Sequence, residues 1–147
     1  MKILSMNIRG FGGASKQKAL SLLFHVLNPD MILIQETMCN FSQALFLFSK
    51  LKPRWVFYAL DSSGLFGGLL SCWNPLLVWC KAYSSFVGIL LKVGIKGISN
   101  VFSIINCYDP YSHHIDFWNN VLTSGLFYFP DILLAGDLKF TLSISEV

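Results

Sequence analysis

The alternation of short apolar runs with segments of helical spacing constrains the fold of this chain most. Apolar runs with strand-like spacing occupy residues 2–8, 30–37, 54–60 and 131–137. Segments with apolar residues three and four positions apart lie between them. Strand runs flanked by helices predict stacked sheets with the helices outside, which is an α/β sandwich.

Three segments have helical spacing. The first, residues 15–27, predicts a helix with Ser15 as its cap and an apolar face of Ala19, Leu22, Leu23, Val26 and Leu27. The second, residues 41–51, is expected to start from Asn40 or Ser42 and to end before Pro53. The third, within residues 112–125, has Ile115, Trp118, Val121 and Leu122 at helical spacing. The two histidines near its start, His113 and His114, are interpreted as surface residues.

Residues 67–105 predict a series of adjacent strands with turn residues between them. This part includes most of a nineteen-residue uncharged run between Asp61 and Lys81, which is long enough for a membrane span. Gly67-Gly68 and Asn74-Pro75 interrupt the run, so strands and turns are favoured over a spanning helix.

The length indicates a single domain over residues 1–147, and the composition indicates that either much of the chain is interior or a segment that should cover it is missing. Hydrophobic residues make up 54% of the chain and charged residues 13%, and the net charge is +3. The mild positive charge is compatible with a phosphate-bearing partner. No secretory signal is recognised, which predicts a nuclear or cytoplasmic protein. The four cysteines form no C-x-x-C pair and are expected to be reduced, mostly buried thiols.

Polar groups stand where four of the apolar runs end. Asn7, Glu36, Tyr108 and Asp137 each follow or end such a run, and Asp109 follows Tyr108. If these strand ends meet at one edge of a sheet, they form a site of oxygen donors that suits Mg²⁺. Polar residues also end strands simply because loops are solvated, so each position alone is weak support.

The sequences around these strand ends resemble one family. "ILSMNIRG", "PDMILIQET", "NCYDP" and "LLAGD" occur in this order, and they resemble motifs of the endonuclease/exonuclease/phosphatase superfamily, which has the DNase-I-like fold. "NIRGFGG" and "GGLLSCWNP" look like the N-terminal endonuclease domain of plant LINE-type (non-LTR) retrotransposons. The resemblance covers residues 2–147 and implies a four-layer α-β-β-α sandwich that cleaves phosphoesters, here in DNA, with Mg²⁺ or Mn²⁺.

The resemblance also implies roles for individual residues. Glu36 would bind the metal, and Asn7 is the second residue assigned to the metal. Asn7 would hold the phosphate or a metal-bound water and help to orient Glu36 or Asp137. Tyr108 would contact the scissile phosphate, and Asp137 would deprotonate the attacking water. Arg9 and Lys139 would contact substrate phosphate, although the scattered basic residues favour a solvated charge for Arg9. Lys16 is interpreted as a solvated charge, in preference to a phosphate contact.

Two departures from the family pattern bear on activity. Lys139 stands where the family motif G-D-x-N has asparagine, and the sequence ends at Val147, before the family's further strands and its Asp-His pair. The expectation is therefore a C-terminally truncated domain with weak or absent activity, which needs another segment to cover its sheets. The alternatives are a non-catalytic retrotransposon remnant and a phosphatase of the same superfamily that acts on a small phosphoester.

Overall fold

The computed structural model describes residues 1–62, 67–85, 87–109, 113–125 and 128–138. Its first sheet has four strands: β1 (Ile3–Asn7), β2 (Met31–Gln35), β3 (Val56–Leu60) and β4 (Leu69–Trp73). Their order in space is β1-β2-β4-β3. Strands β1 and β2 are parallel, and β4 is antiparallel to both β2 and β3. The parallel pair places the carboxyl ends of β1 and β2 at one edge.

The second sheet contains the remaining strands: β5 (Val78–Ser85), β6 (Gly88–Ile95), β7 (Val101–Tyr108) and β8 (Ile132–Asp137). Their spatial order follows the chain. Strands β5, β6 and β7 form an antiparallel meander, and β8 pairs parallel with β7. This second parallel pair brings the ends of β7 and β8 together.

Alternating side chains divide the core into layers. Met31 and Leu33 of β2 face the second sheet and pack with Ile89, Leu91 and Ile104. Ile32 and Ile34, which point the other way, pack against the helices α1 (Ala14–Leu27) and α2 (Phe41–Leu51). The third helix, α3 (His114–Thr123), covers Ile105 and Cys107 on the outer face of the second sheet. The four layers confirm the predicted α-β-β-α sandwich.

The helix segments were predicted correctly, but parts of their detail were wrong. Helix α1 begins at Ala14, with Gly13 at the cap position and no side-chain cap bond, so Ser15 is not the cap. Its buried residues are Leu20 and Phe24, whereas Leu22 and Val26 are 64% and 69% exposed. The segment has apolar residues on several sides, and the stripe that carries Phe24 packs against the first sheet and against Phe48 of α2.

The other two helices differ less from expectation. Helix α2 has the predicted bounds and begins from Asn40, whose side chain accepts a hydrogen bond from the Gln43 amide at 3.0 Å. In α3, Phe117 and Val121 are buried, whereas Ile115 and Leu122 of the predicted face are exposed. Among the described residues, no helix is long and apolar enough to cross a membrane.

A buried amide network joins the two sheets from Gln35, at the end of β2, to Asn106 of β7. Gln35 Nε2 donates to Asn106 Oδ1 at 2.7 Å, and Asn106 Nδ2 donates to Ser71 Oγ at 3.1 Å. The amide of Asn106 also bonds the Leu70 carbonyl, and Gln35 bonds Ser5 Oγ. Buried polar groups need such partners, so the network fixes how the sheets are placed on one another.

Candidate active site

Three strand ends meet at one edge of the sandwich through the side chain of Asn7. Its Nδ2 donates to Glu36 Oε1 at 3.0 Å and to Asp137 Oδ2 at 2.9 Å. Glu36 follows β2 in the first sheet, and Asp137 ends β8 in the second. The structure therefore brings together the amide and the two carboxylates that the sequence predicted at this edge, in a link between the sheets.

The orientation of the Asn7 amide follows from its partners. Carboxylate oxygens only accept hydrogen bonds when ionised, so the nitrogen must face them. The oxygen, Asn7 Oδ1, accepts from the backbone N–H of Arg9 at 3.1 Å. In this arrangement Asn7 organises the two acids, and its oxygen is directed to the loop that follows β1.

Glu36 is held in an uncommon backbone conformation by the segments on both sides of it. Its φ angle is +54°, in the left-handed region, and only 8% of the residue is exposed. Gly10 N donates to the Glu36 carbonyl, and the next amide, Thr37 N, donates to Gly68 O at 3.1 Å. A Cβ atom at Gly67 would lie 3.0 Å from Glu36 Cγ. Gly67 therefore leaves room for the side chain of Glu36.

Asp137 reaches the site because a glycine precedes it. Gly136 has a φ of +154°, and a Cβ atom there would overlap the carbonyl oxygen of Cys107 on β7. Without that atom the two strands approach closely, and the ladder continues to the bond from Asp109 N to Asp137 O at 3.0 Å. Gly136 thus allows β8 to deliver the acid at the edge.

Tyr108 lies beside Asp137 on the neighbouring strand. The two residues are paired in the β7–β8 register, and Tyr108 belongs to the core between the sheets, with 8% of its surface exposed. Adjacent residues in register share a face, so Tyr108 lies on the same face as the Asp137 carboxylate. Its contact with a scissile phosphate stays a prediction.

The two basic residues after β1 differ. Lys16 Nζ donates to the carbonyl oxygens of Ile8 and Gly10 at 2.6 and 2.9 Å, and the Arg9 carbonyl lies at 3.3 Å. The interpretation of Lys16 as a solvated charge is wrong, because its ammonium group holds the loop together. Arg9 is exposed and lines a cleft of about 490 Å³ between this loop, the residues after Glu36 and the start of α2. Lys139 lies outside the described residues.

The donor set at this edge fits a hard divalent cation. Magnesium commonly uses one or two protein carboxylates together with water and substrate phosphate oxygens. Glu36 and Asp137 supply carboxylates at adjoining positions, since both bond one nitrogen. Within the described part of the chain, no group of three or more acidic, histidine or cysteine side chains is placed to hold a metal ion. The role of Glu36 as a metal ligand stays a prediction.

Sequence reasoning missed a cluster on the outer side of this edge. The prediction that His114 is a plain surface residue is incomplete, because its Nδ1 contacts the buried carboxylate of Asp109 at 2.5 Å. Trp118 Nε1 donates to the same Asp109 oxygen at 3.2 Å. The sequence did contain a signal for this cluster. Asp109 directly follows a strand, and His114 and Trp118 come after it, one helical turn apart.

The cysteines are free thiols, as predicted. Cys72 and Cys107 are buried, and Cys39 and Cys80 are partly buried. Burial raises the pKa of Cys107 to about 12, with the charge of Asp109 adding to the effect, and burial also raises the pKa of Cys80 to about 12. These thiols are therefore poor nucleophiles near neutral pH.

Solved structures share this fold although the sequences have diverged. The AP endonuclease LMAP from Leishmania major matches with a TM-score of 0.69 at 16% identity, over 93% of this chain and 54% of that one. An AP endonuclease from Archaeoglobus fulgidus matches with a TM-score of 0.71 at 15% identity, over 100% and 60%. The endonuclease domain of TRAS1, a telomere-specific non-LTR retrotransposon, matches with a TM-score of 0.66 at 13% identity, over 96% and 61%.

These matches confirm the DNase-I-like α/β fold. No protein-family model and no curated protein sequence matches the chain. The chain spans a little over half the length of the three structures.

Proposed function

We propose that this chain is a divalent-metal-dependent phosphodiesterase of the endonuclease type, acting on nucleic acid. The observation that carries the proposal is the single amide of Asn7, which holds one carboxylate from each sheet. Two acids held this close repel one another, and a bound cation would relieve that repulsion. A cation held in this way would assist the hydrolysis of a phosphodiester.

Each residue of the edge has a distinct part in this chemistry. Glu36 binds Mg²⁺ or Mn²⁺, which supplies charge neutralisation at the phosphate when bound. Asp137 orients the attacking water and takes its proton. Asn7 keeps the two acids apart and in place, while Tyr108 and Arg9 donate to phosphate oxygens. A role for Asn7 as a direct metal ligand needs its amide to turn away from Glu36 and Asp137.

Nucleic acid as the substrate class is supported by the proteins that share the fold. Two are AP endonucleases, one is a retrotransposon endonuclease domain, and the D. rerio TDP2 structure holds a single-strand DNA product. The net charge of +3 favours a polyanion as well. The LINE-type reading rests on the sequence motifs, because TRAS1 and the AP endonucleases match the fold about equally well.

The activity is expected to be weak, because Lys139 replaces the asparagine of the family motif. Lysine is a longer side chain with no acceptor, and its positive charge opposes a cation nearby. A non-catalytic remnant is the second candidate, and this substitution is the observation that favours it.

Nicking of supercoiled plasmid DNA tests the proposed function. We expect Mg²⁺-dependent nicking by the purified chain, a loss of roughly 100-fold or more in Glu36→Gln and in Asp137→Asn, and no change in Asp131→Asn. Asp131 is the matched control, because it is an exposed acid at the opposite end of the strand that carries Asp137.

The other outcomes separate the alternatives. No nicking, together with no thermal shift on adding Mg²⁺, favours the remnant. Hydrolysis of a soluble phosphomonoester without nicking favours the phosphatase. Nicking that survives Glu36→Gln unchanged contradicts the assigned site.

A further inference from the structure

A second acid, Asp109, lies on the outer side of the edge that carries the site. It directly follows β7 and is fully buried. Its Oδ2 takes the hydrogen bond from Trp118 and the contact with His114, both on α3, while no described residue bonds Oδ1. A buried carboxylate is stable only when polar partners compensate it. His114 and Trp118 are the described side chains whose nitrogens contact this one.

The backbone of Asp109 connects this cluster to the active-site acid. Its N–H makes the last bond of the β7–β8 ladder, to the Asp137 carbonyl at 3.0 Å. Among the described strands, β8 pairs only with β7. The placement of Asp137 therefore depends on this bond and on the bond from Asn7.

We propose that His114 is a positioning residue that acts through Asp109 on Asp137. The imidazole fixes the Asp109 carboxylate to the first turn of α3, and the Asp109 backbone fixes the end of β8. Asp137 Oδ2 then stays within hydrogen-bond distance of Asn7. The inference rests on the proposed role of Asp137 as the base, and it adds to the site two residues from the opposite face of the sheet.

His113 provides a matched control for His114. The two histidines are adjacent, but the ring of His113 contacts Asp116 on the surface, where both side chains are mostly exposed. Both histidines lie at the start of α3, and removing either imidazole deletes one contact with an aspartate. Only the loss of His114 affects Asp109, whose backbone N–H donates to the Asp137 carbonyl.

The test compares His114→Ala, His114→Asn and His113→Ala in the full chain. We expect His114→Ala to lower kcat roughly tenfold to 100-fold, since small displacements of a catalytic group have effects of this size. KM should stay within about twofold, because substrate contacts are intact. Added imidazole should restore part of the rate, and His114→Asn, which keeps a donor near the Nδ1 position, should retain more activity than His114→Ala. His113→Ala should match the wild type.

The side-chain amide signals of Asn7 in an NMR spectrum give a second measurement that needs no activity. We expect them to shift in His114→Ala and to stay in place in His113→Ala. Unmoved Asn7 signals in folded His114→Ala or His114→Asn overturn the inference, as does an equal loss of kcat in the two alanine variants. If the wild type does not cleave nucleic acid, the proposed function fails, and the Asn7 signals alone decide whether His114 positions the edge.

Discussion

Two polar bridges connect the sheets of this sandwich, and they differ in charge and burial. The core bridge consists of Gln35, Asn106 and Ser71, which are almost completely buried and uncharged. The edge bridge consists of Asn7, Glu36 and Asp137, where one amide serves two carboxylates at a partly buried edge. In the core bridge, neutral donors and acceptors satisfy each other.

The difference shows how one sandwich provides both rigidity and reactivity. Neutral amides in the core satisfy one another without a net charge, so they hold the sheets at a fixed offset. Two acids that share one donor are incompletely compensated, and a bound cation would stabilise them. The core bridge thus stabilises the fold, and the edge bridge is suited to binding a cation. The two bridges are neighbours in sequence, since Gln35 directly precedes Glu36.

The largest expected effect is loss of the core bridge. Asn106→Leu keeps the approximate shape of the side chain but removes the partner of Ser71 Oγ and of the Leu70 carbonyl, and it leaves Gln35 with its bond to Ser5 alone. We expect a loss of about 3 kcal/mol in the free energy of unfolding, because several buried polar groups lose their bonds. Urea titration followed by circular dichroism measures this. Asn119→Leu, at an exposed position of α3, is the control and should change stability little. A small effect of Asn106→Leu would show that the core bridge does not hold the sheets.

Loss of the edge bridge should cost less. Asn7→Ala removes the shared donor, but water reaches Glu36 and Asp137 at the partly buried edge and replaces its hydrogen bonds. We expect a loss of about 1 kcal/mol in the same titration. The added repulsion between the acids should make Mg²⁺ more stabilising in the variant than in the wild type. If Asn7→Ala is as destabilising as Asn106→Leu, the contrast between the two bridges fails.

The smallest effect concerns thiol reactivity near the two bridges. Partial burial raises the pKa of Cys39, which lines the cleft near the edge bridge, while full burial raises the pKa of Cys72 well above its ordinary value. A raised pKa leaves less thiolate at a given pH, and burial blocks the reagent. We therefore expect a disulfide reagent at mildly alkaline pH to label Cys39 first, with Cys72 and Cys107 labelled only after unfolding. Mass spectrometry of digested protein gives the order, and early labelling of Cys107 would show that β7 opens in the native state.

The sequence predicted the edge bridge better than the core bridge. Polar residues at the ends of apolar runs suggested a site if those ends met at one edge, and the family resemblance assigned Asn7, Glu36 and Asp137 to one site. Asn106 stands inside an apolar run, where a single polar residue gives no sign of which strand it faces. The buried sides of α1 and α3 were missed for a related reason. Both helices have apolar residues on more than one side, and the contacts with the sheets select the stripe that packs.

Gly136 is a position of the site at which substitutions are expected to be poorly tolerated. Every missense change of a glycine codon introduces a side chain, and at this position the first added carbon meets the backbone of Cys107. The position therefore has no mild replacement, unlike the leucines earlier in β8. In a set of related copies, retention of this glycine while neighbouring codons drift would indicate that selection still maintains the acid that follows it.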